Sequence, residues 1–114
     1  MGESSLGREE FARVDLRVGR VISAEEFLGA RTPAFILMID FGPEIGVKKT
    51  SAQLTVRYSP EDLLDRLVVG VVNFPRKQIG SIMSECLVTG FSDGQGGVVL
   101  CQPGGEVPLG SRLF

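Results

Sequence analysis

The sequence predicts a mostly β, single-domain protein: a five-stranded Greek-key barrel of the OB type, with a short helix between strands three and four and appended terminal segments. Three observations lead there. The apolar runs are short and several alternate with polar residues; Gly, Pro, Asn and Asp separate them; and one short helix start, Ser59-Pro60-Glu61-Asp62, falls between the third and fourth runs. At 114 residues the chain suits one domain spanning residues 1–114, in which one core is feasible. Residues 1–8 are expected to be flexible.

Val14, Leu16, Val18, Ile22 and Ala24 share one parity, interrupted by Arg20, while Asp15, Arg17, Ser23 and Glu25 share the other. This is the pattern of a half-buried strand. Gly19 inside it suggests a bulge or bend at a barrel corner. After the loop Gly29 to Pro33, the run Phe35 to Ile39 is apolar on both faces and needs cover on both. Phe41 to Gly46 supplies turn residues, and Val47 to Thr55 reads as a polar, basic strand. Ser59 can cap a helix over Pro60 to Asp65, with Pro60 at its first position and the acids at its positive end. Leu67 to Phe74 is a core strand that stops at Pro75, and Cys86 to Phe91 is another. Asp93 to Gly97 makes the hairpin turn into Val98 to Cys101.

Composition removes several function classes. The chain has no His, so neither Cys-His nor Ser-His catalysis can come from it alone, and no metal spacing is present. We expect no enzyme activity, no metal and no cofactor. Cys86 and Cys101, far apart and inside apolar runs, are expected to be buried reduced thiols. The longest apolar run, Ala34 to Ile39, is too short to span a bilayer, and the start of the sequence has no signal-peptide pattern. A myristoylation pattern fails at Leu6, where Ser or Thr is required. The expectation is a soluble, cytoplasmic protein with no membrane insertion. Net charge is −2, but residues 46–85 carry six Lys or Arg against four acids, whereas residues 1–45 carry five Arg against eight acids. A polyanion site belongs in the middle segment.

The stretch Gly42-Pro-Glu-Ile-Gly46-Val-Lys48-Lys49-Thr50 has the wrong spacing for a phosphate-binding P-loop and no long helix after it, so it reads as a turn. The carboxylate pairs Glu25-Glu26 and Glu61-Asp62 read as surface and capping residues. Lys48, Lys49, Arg76 and Lys77 remain. The exposed face of strands two and three of an OB barrel, with its rim loops, is an oligonucleotide surface, and these four residues fit it. Their spacing fits a solvated surface equally well. Four phosphate contacts would make affinity fall about 50- to 150-fold between about 50 and 200 mM salt.

In order and spacing, Val14-Asp-Leu-Arg-Val-Gly-Arg-Val21, Ser51-Ala-Gln-Leu-Thr55, Asn73-Phe-Pro75 and Ser84-Glu-Cys-Leu-Val88 resemble the tRNA-binding-domain superfamily. Within it, Ser51-Ala52-Gln53, the Asn73-Phe74-Pro75 turn and the ending from Leu100 to Gly110 are most similar to the export-related, chaperone-like CsaA proteins.

The resemblance implies a homodimeric, non-catalytic OB barrel whose partner is tRNA or structured RNA. It implies that the terminal segments and the two-sided apolar strand are buried against the second protomer. Family RNA-contacting positions correspond to Ser51, Gln53, Asn73, Arg76, Lys77, Ser84 and Glu85, with Lys48 and Lys49 as nearby basic positions. Gln78 and Met83 stand where relatives often carry basic residues. The resemblance also implies a second role, binding of unfolded or precursor polypeptides in export. Phe41, Phe74, Ile79, Ile82 and Met83 are the candidate walls of such a peptide groove, with packing in the core as their other use.

Overall fold

The computed structural model describes residues 5–114. The flexibility expected for residues 1–8 falls partly on residues 1–4, which lie outside the described residues. Helix α1 (Arg8–Ala12) follows Gly7, whose N–H donates to Glu10 Oε1 at 2.7 Å, and it buries none of its residues. The chain then forms β1 (Leu16–Glu26), β2 (Phe35–Asp40), β3 (Val47–Ala52), helix α2 (Pro60–Leu63) and β4 (Leu67–Val71). A hairpin of β5 (Lys77–Ile79) and β6 (Ile82–Ser84) comes next, then β7 (Leu87–Val88) and a second hairpin of β8 (Gly90–Ser92) and β9 (Val98–Leu100).

Five strands form one antiparallel sheet in the order β3-β2-β1-β4-β7. Its two edges nearly meet. Glu85 N donates to Lys49 O at 2.8 Å, Lys49 N donates to Glu85 Oε1 at 2.9 Å, and Thr50 Oγ1 donates to Cys86 O at 2.8 Å. These bonds draw β3 against the entry to β7 and make the sheet a nearly closed OB-like barrel, with α2 between β3 and β4 as expected. Thr50 is the one buried polar residue among those described, and its hydroxyl is satisfied at this seam.

α2 is held by reciprocal caps. Asp62 N donates to Ser59 Oγ at 3.2 Å and Ser59 N donates to Asp62 Oδ2 at 2.9 Å. The helix ends at Leu63, short of the expected Asp65, because Leu64 is extended and Asp65 takes a left-handed φ of 68°. The terminal segment packs beside the first half of β1. Gly110 N donates to Val18 O at 2.8 Å, Val18 N to Ser111 O at 2.9 Å, and Leu113 N to Leu16 O at 2.9 Å.

Two expectations about β1 are corrected. The bulge lies between Val21 and Ser23, where the register against β2 shifts, and not at Gly19. The extra residue switches the parity, so Val21 is buried and Ile22 is exposed. Gly19 serves a close approach instead: a Cβ there would sit 2.6 Å from Ile39 Cγ2 and 2.8 Å from the Phe41 ring, and one at Gly70 would sit 3.0 Å from Phe41 Cζ. Glycines on adjacent strands thus form the hollow that takes the Phe41 ring. Phe41 is fully buried, which removes it from the candidate peptide walls: a core side chain cannot line an open groove. Val21, Leu37, Ile39, Leu63 and Val68 complete the centre of the core.

The basic strand is also shorter than expected, ending at Ala52, because Leu54 leaves the sheet to enter the core. On β2, alternate residues Phe35, Leu37 and Ile39 face inward, while Ile36 and Met38 are only half-buried. The second apolar face foreseen for this strand is therefore only partly covered in the single chain.

Candidate nucleic-acid interface

A groove of about 600 Å³ opens beside the barrel seam. Thr50, Ser51 and Gln53, at the end of β3 and just beyond, line one side. Phe74, Pro75 and Arg76, from the β4–β5 connection, line the other with Lys77 and Ile79 of β5. Ser84, Cys86 and Leu87 complete it. β4 ends at Val71, short of the expected stop at Pro75, and Pro75, which has no N–H to offer a ladder, lies in the connection that carries Arg76 and leads into Lys77 at the start of β5.

The groove brings together Ser51, Gln53, Arg76, Lys77 and Ser84 from the expected RNA-contacting set with Phe74 and Ile79 from the expected peptide walls. Part of each set therefore shares one surface. Arg76 and Lys77 are exposed and have no carboxylate partner among the described residues, unlike Arg17, Arg20, Arg57 and Arg112, which are ion-paired. The side chains of Ser51 and Gln53 also make no hydrogen bond among the described residues, so their donors and acceptors are available to a ligand. Phe74 is 54% exposed and Leu87 51%, which gives the groove apolar walls beneath a cationic rim.

The remaining expected residues lie elsewhere. Lys48 and Lys49 are half-buried neighbours on β3 that point to opposite sides of the sheet, and neither lines the groove. Glu85 is engaged at the seam through its N–H and its carboxylate. Asn73 is occupied by the backbone before β1: its Nδ2 donates to Arg13 O at 2.6 Å, and Asp15 N donates to its Oδ1 at 3.0 Å. Ile82 pairs with Ile79 across the hairpin and Met83 with Gln78, and both Ile82 and Met83 fall outside the groove lining.

Ser84 has a structural task as well. Its Oγ lies 2.9 Å from Thr50 Oγ1 and 3.2 Å from Cys86 O, so the two hydroxyls and this carbonyl form one closed cluster under the groove. Burial pushes the Cys86 thiol up to about 12, with the Thr50 hydrogen bond opposing the shift, so it stays protonated at neutral pH and is no nucleophile. Both cysteines are free thiols. Among the described residues no group of His, Cys, Asp and Glu could hold a metal ion, and no helix is long and apolar enough to cross a membrane.

Sequence reasoning missed Leu87 and the β5–β6 hairpin. The available signal was Ile79-Gly80-Ser81-Ile82, two β-branched residues flanking a glycine that adopts φ 56°.

The family model described as "Putative tRNA binding domain" matches residues 16–112. The fold superposes on the crystal structure of chaperone CsaA from Bacillus anthracis str. Ames with a TM-score of 0.91 and 49% identity, covering 97% of this chain and 100% of that one. Against the CsaA chaperone protein from Picrophilus torridus the TM-score is 0.90 at 37% identity, covering 96% of this chain and 100% of that one. The methionine–tRNA ligase of Pyrococcus furiosus is 33% identical over 105 residues, which is 92% of this chain. The chain spans only 14% of that ligase's length.

Proposed function

Because the chain belongs to the tRNA-binding-domain family, whose model it matches over residues 16–112, we propose that it is a non-enzymatic RNA-binding module of the CsaA type, acting in the cytoplasm as a homodimer on tRNA or structured RNA. The observation that carries this reading is the pairing, in one groove, of two cations without partners, Arg76 and Lys77, with the free polar side chains of Ser51 and Gln53. The cations neutralise phosphate and set affinity; the amide and hydroxyl meet sugar or base edges.

The dimer is supported by uncovered apolar surface at the chain ends. Leu6, Phe11, Val14, Leu113 and Phe114 are all exposed around a cleft between α1 and the terminal segment, and Ile36 and Met38 on β2 are only half-buried. A second protomer covering such surface gives two grooves to one RNA, and hence a tighter grip than either alone.

A second reading is polypeptide binding in the same groove. It is favoured by the adjacent apolar walls Phe74, Ile79 and Leu87 and by the likeness to proteins described as chaperones.

Titration of salt against binding of total tRNA, with an unfolded precursor peptide in parallel, separates the two. Two phosphate contacts per groove predict a loss of about 7- to 12-fold per groove between about 50 and 200 mM salt, whereas apolar peptide binding should be nearly indifferent. Arg76→Glu with Lys77→Glu should abolish tRNA binding and spare the peptide. Survival of tRNA affinity in that double variant would mean the RNA site lies elsewhere.

A further inference from the structure

We infer that the groove is a receptor for an unpaired nucleotide: its base enters the groove and stacks on Phe74, while Arg76 and Lys77 hold the flanking phosphates. This rests on the RNA-binding reading and specifies which part of an RNA the groove takes.

The shape argues first. A paired helix offers a convex phosphate backbone, with its bases stacked inside and its deep groove closed to side chains. Phosphates need cations on a surface; they need neither a concavity nor apolar walls. Here the concavity is about 600 Å³, within the range of sites that enclose a small molecule, and its walls include Phe74, Pro75, Ile79 and Leu87. A duplex would leave that interior unfilled.

The chemistry argues second. Phe74 is the exposed aromatic of the groove, at 54% exposure, and it adjoins Arg76 and Lys77 in sequence, so one short segment of the groove's wall supplies both a stacking face and the charges for phosphate. Opposite them, Gln53 and Ser51 are free to bond a base edge or a ribose hydroxyl. An apolar peptide would gain nothing from the two unpaired cations, whereas a nucleotide uses the ring, the amide and the charges together.

The test compares two probes on the intact protein at low salt: an unstructured oligoribonucleotide carrying a fluorescent adenine analogue whose emission reports stacking, and a blunt RNA duplex with the same number of phosphates. The single strand should bind more tightly, with a change in emission. Phe74→Ala should weaken it on the order of 5- to 150-fold without changing its salt slope, and Phe74→Tyr should restore binding. Arg76→Glu with Lys77→Glu should weaken both probes. If the duplex binds at least as well and Phe74→Ala alters neither affinity nor emission, the base receptor is wrong while RNA binding stands. If neither RNA binds and an apolar peptide does, regardless of salt, both readings fall.

Discussion

The side-chain amide of Asn73 is tied to Asp15: the Asp15 N–H donates to Asn73 Oδ1 at 3.0 Å, and the Asn73 amide in turn donates to Arg13 O at 2.6 Å. One side chain thus joins the end of the core strand β4 to the link between α1 and β1. The residue beside it, Phe74, enters the groove, so this clamp sets where the groove's wall begins.

It follows that Asn73 acts on the fold before it acts on a ligand. Asn73→Ala should lower stability by about 1 kcal/mol, the usual net worth of such bonds at exposed sites. Asn73→Asp should cost at least as much, because a carboxylate keeps the bond from Asp15 N but faces Arg13 O with no donor. Urea unfolding measures this directly. An unchanged unfolding midpoint together with weakened RNA binding would instead make Asn73 a ligand contact.

The Gly19 and Phe41 pair makes a prediction about the barrel's interior. Gly19→Ala should destabilise by about 1–3 kcal/mol, since the new methyl meets both Ile39 and the Phe41 ring in a packed core. Phe41→Leu in the same chain should recover part of that loss, because removing the ring frees the hollow. The energies of the two changes should be clearly non-additive in a double-mutant cycle. Additive losses would show that the strain falls on Ile39 alone.

These same residues show what the sequence discloses and what it withholds. The barrel class was legible because each strand carries its own punctuation: the Ser59–Asp62 cap forms as the residue types demand, and the Asp93 to Gly97 turn joins β8 to β9. The core-facing parity around Val21 was not legible, since a bulge changes no residue type; it only switches which alternate set faces inward, Gly19 and Val21 before it and Ala24 after it. Phe41 stands open between a groove wall and the core in the sequence because it follows the strand and precedes Gly42 and Pro43, a turn by composition, whereas its burial depends on glycines distant in sequence, Gly19 and Gly70. The groove was half-legible. Arg76 and Lys77 announce themselves as charges just after a proline, but the separation of Lys48 and Lys49 from the groove, and the inclusion of Leu87, depend on how the barrel closes.

The β8–β9 hairpin supplies a prediction with a defined pH sign. Asp93 Oδ1 accepts from Gln95 N at 2.7 Å and Gly97 N at 2.9 Å, and Oδ2 accepts from Arg57 Nη1 at 3.2 Å. The two backbone N–H groups, Gln95 first, and then the Arg57 guanidinium hold the carboxyl below its ordinary value in the folded protein. A group whose folded pKa lies below its unfolded one, about 3.9 for Asp, binds its proton more tightly when unfolded. Its stabilising contribution is therefore fully present above the unfolded value and is lost as pH falls through the folded one. Asp93→Asn keeps an oxygen for the two N–H groups but removes the charge that they and Arg57 favour. The variant should be less stable than the parent at neutral pH, and the gap should narrow below about pH 4 and close once the parent's own Asp93 is protonated. Thermal unfolding across that range reads the gap. The turn holds β9 in register, and Leu100 at the end of β9 is a core residue whose N–H donates to Tyr58 Oη at 3.1 Å. The charge on an exposed turn thus reaches the packing of the barrel, and a gap that stayed constant with pH would show that only the shape of the Asp93 side chain, and not its charge, matters there.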